Sequence, residues 1–217
     1  SISRIVTRTI FYKIYFNILE SYIFSNMQTD KPLFNEDGSF NIPITQNTID
    51  NPIQTTNNNL GITIKLLSLS AEKNIKKFIF PSTASMYGNN PIPWSEDMIS
   101  DPSEPYSWQK ISIEFALKMW FTRYNLPTTI LRLFQVFGEF QRKDTAIAHF
   151  IKQAKNDMSI TLIKSSANSK YMTGRRDWIY VKDIAEAFKL SILSNLTGKG
   201  EIINIASGKL TSVEDIA

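Results

Sequence analysis

Two short runs of apolar residues, each preceded by a longer segment with helical periodicity, most constrain the fold of this chain. The runs are KKFIFPST, at residues 76–83, and TTILRLFQVFG, at residues 128–138. Continuous apolar runs of this length are typical of strands that are covered on both faces. The order helix, strand, loop, helix, strand is typical of crossover units in a parallel sheet. The sequence therefore predicts an α/β fold with a parallel sheet flanked by helices.

The segments around these runs supply the other predicted elements. Before the first run, apolar residues recur on one broad helical face, at Leu60, Ile64, Leu67 and Ala71. The helix before the second run is predicted to begin at Pro105, since proline is tolerated in a first turn, and to end at Asn125. After residue 138 we predict a helix (AIAHFIKQAKN), a strand (SITLIK), a helix that starts at Asp183, a strand (EIINIASG) and the opening turn of another helix (VEDIA).

Composition narrows the classes of function. The 217 residues include no cysteine and one histidine, His149, which excludes thiolate nucleophiles, disulfides and multi-histidine metal sites. The net charge of +4 comes from basic residues spread in ones and twos, which argues against a nucleic-acid-binding surface. An aromatic helix predicted before Asn26 carries Lys13 and Glu20 and is too short for a membrane span. The absence of cysteine fits a reducing, cytoplasmic location.

Hydroxyl side chains follow the first predicted strand, at the end where parallel sheets bind ligands. They are Ser82, Thr83 and Ser85. The next helix begins with Tyr106 and places Lys110 one turn later on the same face. A nearby ammonium is expected to lower the pKa of a phenol, because it favours the tyrosinate. With a hydroxyl from the strand end, this pair would form an acid/base device for alcohol-to-ketone chemistry.

Each of these residues also has a purely structural interpretation. Thr83 and Ser85 can cap the strand end, because short hydroxyl side chains often bond local backbone. Tyr106 can pack on the sheet, and Lys110 can be a solvated side chain. The interpretation as a site therefore depends on the joint arrangement. His149 lies on an apolar helix face and is interpreted as a packed or partly exposed side chain rather than a catalytic group.

Five segments match one family pattern in the same order along residues 51–217. STASMYG followed by YSWQK is similar to a Ser/Thr...Tyr-x-x-x-Lys set, and NNNLGITIKLL is similar to an N-x-x-G-T helix. Three further matches are LRLFQVFG, RRDWIYVKDIAEA and INIASG. Together they resemble the extended short-chain dehydrogenase/reductases, the NAD-dependent nucleotide-sugar epimerase and dehydratase group. The resemblance implies a partial Rossmann-like sheet with a smaller C-terminal substrate-binding part.

The resemblance also implies a role for each matching position. Thr83 would be the active-site hydroxyl, Tyr106 the general acid/base, and Lys110 the residue that holds the nicotinamide ribose of NAD, or of NADP, and tunes Tyr106. Ser82 and Ser85 would satisfy backbone groups at the strand end. The other assigned positions would contact the cofactor (Asn57 or Asn58, and Phe134) or the nucleotide sugar (Gln135, Arg142 and, at the diphosphate, Arg176). For Arg176, an ion pair with Asp177 is an equal alternative. The resemblance also implies a homodimer through the helix that carries Tyr106 and the neighbouring helix.

Three of the departures from the family pattern bear most on function. None of its eight glycines forms the G-x-x-G-x-x-G turn that binds a cofactor pyrophosphate. Gln135 stands where the family usually has asparagine. After Thr83, Ala84 and Ser85 replace the Asp-Glu pair of the family's 4,6-dehydratases, which favours epimerisation or reduction over dehydration.

We divide the chain into an atypical N-terminal segment (1–50), a partial NAD-binding domain with the catalytic residues (51–138) and a substrate-binding part interleaved with the last strands (139–217). The predicted function is that of an NAD-dependent epimerase, or a related oxidoreductase, acting on a nucleotide sugar through a 4-keto intermediate. The alternative is a non-catalytic remnant that binds a sugar nucleotide or a protein partner. The lack of a glycine-rich turn is the main support for that alternative.

Overall fold

The computed structural model describes residues 45–139, 141, 145–162 and 174–217. The aromatic helix predicted before Asn26 lies outside these ranges. Of the predicted strand SITLIK, the described residues 159–162 form no regular element, and the remainder lies outside the described residues.

The described ranges contain both helices and strands, and three helices precede the first strand. The helices are α1 (Thr45–Asp50), α2 (Pro52–Thr56), α3 (Ile62–Glu72), α4 (Pro105–Tyr124), α5 (Ala146–Lys155), α6 (Val181–Leu193) and α7 (Val213–Ile216). The strands are β1 (Phe78–Thr83), β2 (Thr128–Leu133), β3 (Gln135–Phe137), β4 (Arg175–Tyr180), β5 (Glu201–Ile205) and β6 (Leu210–Ser212). A π-helical turn at Asn57–Gly61 leads into α3, and a 3₁₀ turn at Ala84–Tyr87 follows β1. None of the helices described here combines the length and apolar character needed to cross a membrane.

The ends of two helices test the boundaries predicted from sequence. Helix α4 begins at Pro105, and Asn125 caps its C-terminal end in the left-handed conformation at φ 53°, which confirms both predicted ends. Helix α6 begins at Val181, two residues before the predicted start. Asp183 lies in its first turn, where a carboxylate interacts favourably with the helix dipole.

The main sheet is parallel and has the strand order β1-β2-β5. Phe78 of β1 is paired with Thr128 of β2, and Thr129 of β2 is paired with Glu201 of β5. Helix α4 makes the crossover between β1 and β2. This arrangement confirms the predicted parallel sheet, and it places the carboxyl ends of β1 and β2 side by side.

The predicted strand TTILRLFQVFG is divided between two sheets, so its prediction as one strand is wrong. Its first part is β2, and its last part, β3, is paired in parallel with β4. The amide of Phe134, between them, donates to the carbonyl of Ile205 at 3.1 Å, and Gln135 then pairs with Trp178. Strand β4 also pairs with β6, antiparallel. Periodicity cannot locate such a break, because both parts of the segment are apolar.

The core lies between the main sheet and helices α3 and α4. Its buried members are Leu67, Phe80, Ile113, Leu117, Trp120, Leu126 and Ile130. Leu60, Ile64 and Ala71 pack against this cluster, which confirms the apolar face predicted for the first helix. Burying one such side chain contributes about 1.5–3 kcal/mol, so these contacts hold α4 firmly against β1 and β2.

A loop of residues 88–104 returns the chain from β1 to α4. Gly88 opens it at φ 55°, and a Cβ at this position would lie 1.9 Å from the carbonyl oxygen of Asp101, so only glycine fits. The amide of Asp101 donates to the carbonyl of Met86 at 2.9 Å, and Trp94 stacks on Tyr87 with ring centroids 5.1 Å apart. The loop therefore brings the start of α4 back to the end of β1.

Candidate active site

The three hydroxyl residues at the carboxyl end of β1 and just after it have different partners. Thr83 Oγ1 accepts from the amide of Ser85 at 3.2 Å and caps the 3₁₀ turn. The Ser85 hydroxyl lies 2.9 Å from that of Thr83 and 2.8 Å from that of Ser107 in α4. Ser82 is buried and donates to the Glu114 carboxylate. The prediction that Ser82 and Ser85 satisfy backbone groups is therefore wrong, because both hydroxyls bond side chains of α4.

Lys110 reaches from α4 to the end of β1. Its Nζ donates to the carbonyl oxygen of Pro81 at 2.8 Å. The same ammonium lies 4.7 Å from the ring centroid of Phe80 and 5.7 Å from that of Tyr106, at distances typical of cation–π contacts. Tyr106 and Lys110 therefore lie together near the carboxyl end of β1, the strand that ends at Thr83.

The ionisation of this pair differs from the sequence-based expectation. Burial, with a smaller contribution from the Glu104 carboxylate, raises the pKa of Tyr106 to about 12. Burial also lowers the pKa of Lys110 to about 8, although the Glu114 carboxylate partly offsets this effect. Burial disfavours the charged form of both groups. In this environment Tyr106 is a neutral phenol at neutral pH, and the expected lowering of its pKa by Lys110 does not occur.

A buried ion pair between Arg132 and Glu114 lies next to the carboxyl end of β1. Arg132 Nη2 of β2 donates to Glu114 Oε2 at 2.8 Å, and both side chains are 5% exposed. Arg132 Nη1 donates to the Tyr87 hydroxyl at 2.8 Å, and that hydroxyl donates to Asn204 Oδ1 of β5 at 2.7 Å. With Ser82 on the same carboxylate, the pair links α4, all three main strands and the 3₁₀ turn.

Sequence reasoning missed this ion pair, although one signal was present. Arg132 interrupts an apolar run predicted to be buried on both faces, and arginine is almost never fully buried without a partner. Glu114 follows Lys110 by one helical turn on the same face. A buried arginine therefore required a carboxylate, but only the packing of α4 on β2 identifies which one.

The remaining predicted site residues lie in different elements. Phe134 follows β2, and its ring centroid lies 5.9 Å from that of Trp94. Gln135 is exposed at the start of β3. Asn57 and Asn58 lie in the π-helical turn before α3. Arg142 lies outside the described residues.

Arg176 and Asp177 in β4 have separate partners. The Asp177 carboxylate accepts from the amide and hydroxyl of Ser207 at 2.8 and 2.7 Å and from the amide of Gly208 at 2.8 Å. Arg176 is exposed, and its guanidinium donates to the carbonyl of Arg175 at 2.8 Å. Asp177 therefore fixes the turn after β5, while the Arg176 side chain points to solvent.

The sequence profile of the NAD-dependent epimerase/dehydratase family matches residues 42–206 of this chain. The chain belongs to that family. This result confirms the resemblance carried by the sequence motifs, and the parallel main sheet agrees with the fold of the solved structures that follow.

Comparison with individual relatives gives the share of their length that this chain covers. It is 30% identical to the UDP-glucuronate 4-epimerase of Thermodesulfobacterium geofontis over 163 residues, which make up 74% of this chain and 47% of that protein. The UDP-N-acetylglucosamine 4-epimerase of Methanobrevibacter ruminantium M1, solved with UDP-N-acetylmuramic acid, matches with a TM-score of 0.71 at 34% identity over 79% of this chain and 54% of that one. The UDP-glucuronic acid 4-epimerase of Bacillus cereus, solved with UDP-glucuronic acid and NAD, matches with a TM-score of 0.71 at 30% identity over 80% and 54%. The chain thus spans about half the length of these relatives.

The described residues fit one end of NAD. An ammonium has three N–H donors, and the bond to Pro81 uses one of those on Lys110, so the others can reach ribose hydroxyls at the sheet edge. The glycine-rich turn that family members use for the pyrophosphate has no counterpart in this sequence. The Lys110 ammonium therefore has donors of the kind that a ribose of NAD would accept.

Proposed function

We propose that this chain acts as an NAD-dependent epimerase, or a related oxidoreductase, on a nucleotide sugar and works through a 4-keto intermediate. The observation that carries the proposal is the contact of Lys110 with both Pro81 and the Tyr106 ring, two residues from the end of β1. This contact supports a shared site for the Tyr106 phenol, the Lys110 ammonium and the Thr83 hydroxyl, because Thr83 ends the strand whose Pro81 carbonyl Lys110 binds. Family membership and the activities of the related epimerases support the same function.

In this proposal Tyr106 moves the proton and Thr83 binds the reacting sugar oxygen. A neutral phenol can donate its proton to a ketone oxygen, and the corresponding tyrosinate can remove the proton of a sugar hydroxyl. The positive charge of the oxidised nicotinamide, when NAD is bound, would favour the tyrosinate that this removal requires. NAD, when bound, would accept the hydride from the sugar carbon and return it. Lys110 would hold the nicotinamide ribose, and Asn57 or Asn58 and Phe134 would contact the same cofactor.

The sugar nucleotide is proposed to lie along β3 and β4. Arg176 is exposed there, and a guanidinium offers a diphosphate two parallel donors. Gln135 and Arg142 are proposed as further contacts to the sugar and phosphate. Ala84 and Ser85 provide no carboxylate after Thr83, which supports epimerisation or reduction rather than dehydration. The cysteine-free composition supports a cytoplasmic location.

Cofactor binding tests this function and separates it from a non-catalytic remnant. Titration of the chain with NAD, followed by calorimetry, is expected to show saturable binding. The Lys110→Met variant should bind about 10- to 100-fold more weakly, because charge-assisted hydrogen bonds contribute about 1.5–3 kcal/mol. A matched control is Lys118→Met, which removes an exposed ammonium from the same helix. Binding of a UDP-sugar without any binding of NAD at millimolar concentration would favour the remnant.

A homodimer through α4 is part of the proposal. Trp108, Phe115 and Met119 are 48%, 66% and 46% exposed and recur at helical spacing. Exposed apolar patches mark interfaces, and two-fold symmetry lets one such face pack on a second copy.

Sedimentation or light scattering tests this interface. We expect a dimer for the native chain and a monomer for Phe115→Asp, since the new carboxylate would be desolvated at the interface. Leu196→Asp is the matched control, because Leu196 is 79% exposed and lies beyond α6. A native chain that is monomeric at every concentration measured would show that this face does not dimerise.

A further inference from the structure

A chain of hydrogen-bonded side chains joins Thr83 to the start of α4. Thr83 Oγ1 lies 2.9 Å from Ser85 Oγ, which lies 2.8 Å from Ser107 Oγ. Ser107 donates to Glu104 Oε1 at 3.0 Å. Ser107 is fully buried, whereas Glu104 is half-buried at the N-cap of α4. The candidate active-site hydroxyl is therefore connected, through two serines, to a carboxylate.

The carboxylate determines the direction of every bond in this chain. An ionised carboxylate can only accept, and each hydroxyl has a single proton to donate. Ser107 gives its proton to Glu104 and so accepts from Ser85. Ser85 donates its single proton to Ser107. In its bond with Thr83, Ser85 must therefore be the acceptor. The proton of Thr83 consequently points toward Ser85.

Because its proton points toward Ser85, the Thr83 hydroxyl can only accept a hydrogen bond from a ligand. One of its lone pairs accepts the Ser85 amide at 3.2 Å. The other is available to a hydroxyl group that enters the site. We propose, on the basis of the function proposed above, that Ser107 and Glu104 are positioning residues that turn the Thr83 proton away from the sugar, so that Thr83 meets the reacting oxygen as a hydrogen-bond acceptor.

The consequence is a division of roles between Thr83 and Tyr106. While Tyr106 is a neutral phenol, a sugar hydroxyl can donate to Thr83; when Tyr106 is the tyrosinate, the same proton turns to Tyr106 and is removed. A keto oxygen has no proton to give. The ketone would therefore receive its hydrogen bond from the neutral phenol of Tyr106. Thr83 stabilises the alcohol, and Tyr106 stabilises the ketone.

Binding of two matched ligands tests this assignment without turnover. UDP-glucose carries a 4-hydroxyl, and its 4-deoxy-4-fluoro analogue cannot donate at that position. The native chain is expected to bind the hydroxyl ligand about 2- to 13-fold more tightly, the value of one neutral hydrogen bond of about 0.5–1.5 kcal/mol. In Ser107→Ala, Ser85 loses its acceptor and Thr83 is free to turn, so the ratio should fall toward one.

Two other variants make the result specific. Glu104→Gln keeps the shape of a half-buried residue but introduces donors, so it should also lower the ratio even if Ser107→Ala folds poorly. At neutral pH, Tyr106 stays protonated in both variants, because its pKa is about 12 and loss of Glu104 returns it only toward the ordinary phenol value. Ser68→Ala, which removes an exposed hydroxyl from α3, should leave the ratio unchanged.

A second measurement tests the hydrogen-bonded side chains in the absence of any ligand, and so independently of the proposed function. In NMR spectra of the ligand-free, serine-labelled chain, the buried Ser107 hydroxyl proton is expected to exchange slowly with water and to exchange faster in Glu104→Gln. Rapid exchange in the native chain, or an unchanged ligand ratio in both variants, would overturn the proposal. If neither UDP-sugar binds while the slow proton is present, the proposed function fails, and with it the role of this chain toward a sugar.

Discussion

Replacement of Tyr106 by phenylalanine is expected to lower the rate of sugar epimerisation by about 10²–10⁴-fold, the contribution of a positioned general acid or base. The change removes one oxygen from a helix that the core holds through other residues, so the fold should be retained. Turnover would be measured by NMR of a UDP-sugar incubated with the chain and NAD, and the free energy of unfolding by urea titration.

Tyr124→Phe is the matched control for this experiment. Tyr124 lies at the other end of α4 and is 57% exposed, so its hydroxyl has no part in the site. We expect its rate to equal that of the native chain. Equal rates in the Tyr106 variant would end the assignment of this residue as the acid/base group, whatever the cause of the turnover.

Replacement of Arg132 by methionine is expected to lower the free energy of unfolding by about 3–5 kcal/mol. Glu114 would then be left as a buried charge without its ion-pair partner, and removing one member of a buried pair is much more costly than losing a surface pair. Urea denaturation followed by circular dichroism measures this difference. The double variant Arg132→Met with Glu114→Leu should recover most of the loss, because no unpaired charge remains.

An exposed ion pair provides the comparison for Arg132. Lys189 and Glu186 lie 2.9 Å apart in α6, with side chains 62% and 54% exposed. Solvent screens such pairs, so Lys189→Met should change stability by at most about 1 kcal/mol. A loss of similar size in Arg132→Met would mean that the pair behind the strand end does not stabilise the fold.

The ion pair also bears on the site chemistry. Ser82 and Pro81 are neighbours at the end of β1, and they bind Glu114 and Lys110, which are one turn apart in α4. The Glu114 carboxylate also favours the ammonium form of Lys110. The same two turns of helix therefore both anchor the strand end and present the charged group proposed to hold the cofactor.

Much of this architecture could be predicted from local patterns. The apolar runs identified β1 and β2, and Pro105 and Asn125 marked the ends of α4, because helix caps and strand burial are properties of short segments. The spacing of Tyr106 and Lys110 placed both on one helical face, and five short motifs in a fixed order indicated the family. Each of these features depends on residues that are close in sequence.

What only the tertiary structure decided depends on contacts between distant segments. The break at Phe134, the partner of Arg132 and the bonds of Ser82 and Ser85 follow from how α4, β2 and β5 pack together. The ionisation of Tyr106 was predicted in the wrong direction for the same reason. The effect of a nearby ammonium could be predicted from spacing, but the larger effect of burial arises only when the sheet and helix exclude water from the phenol.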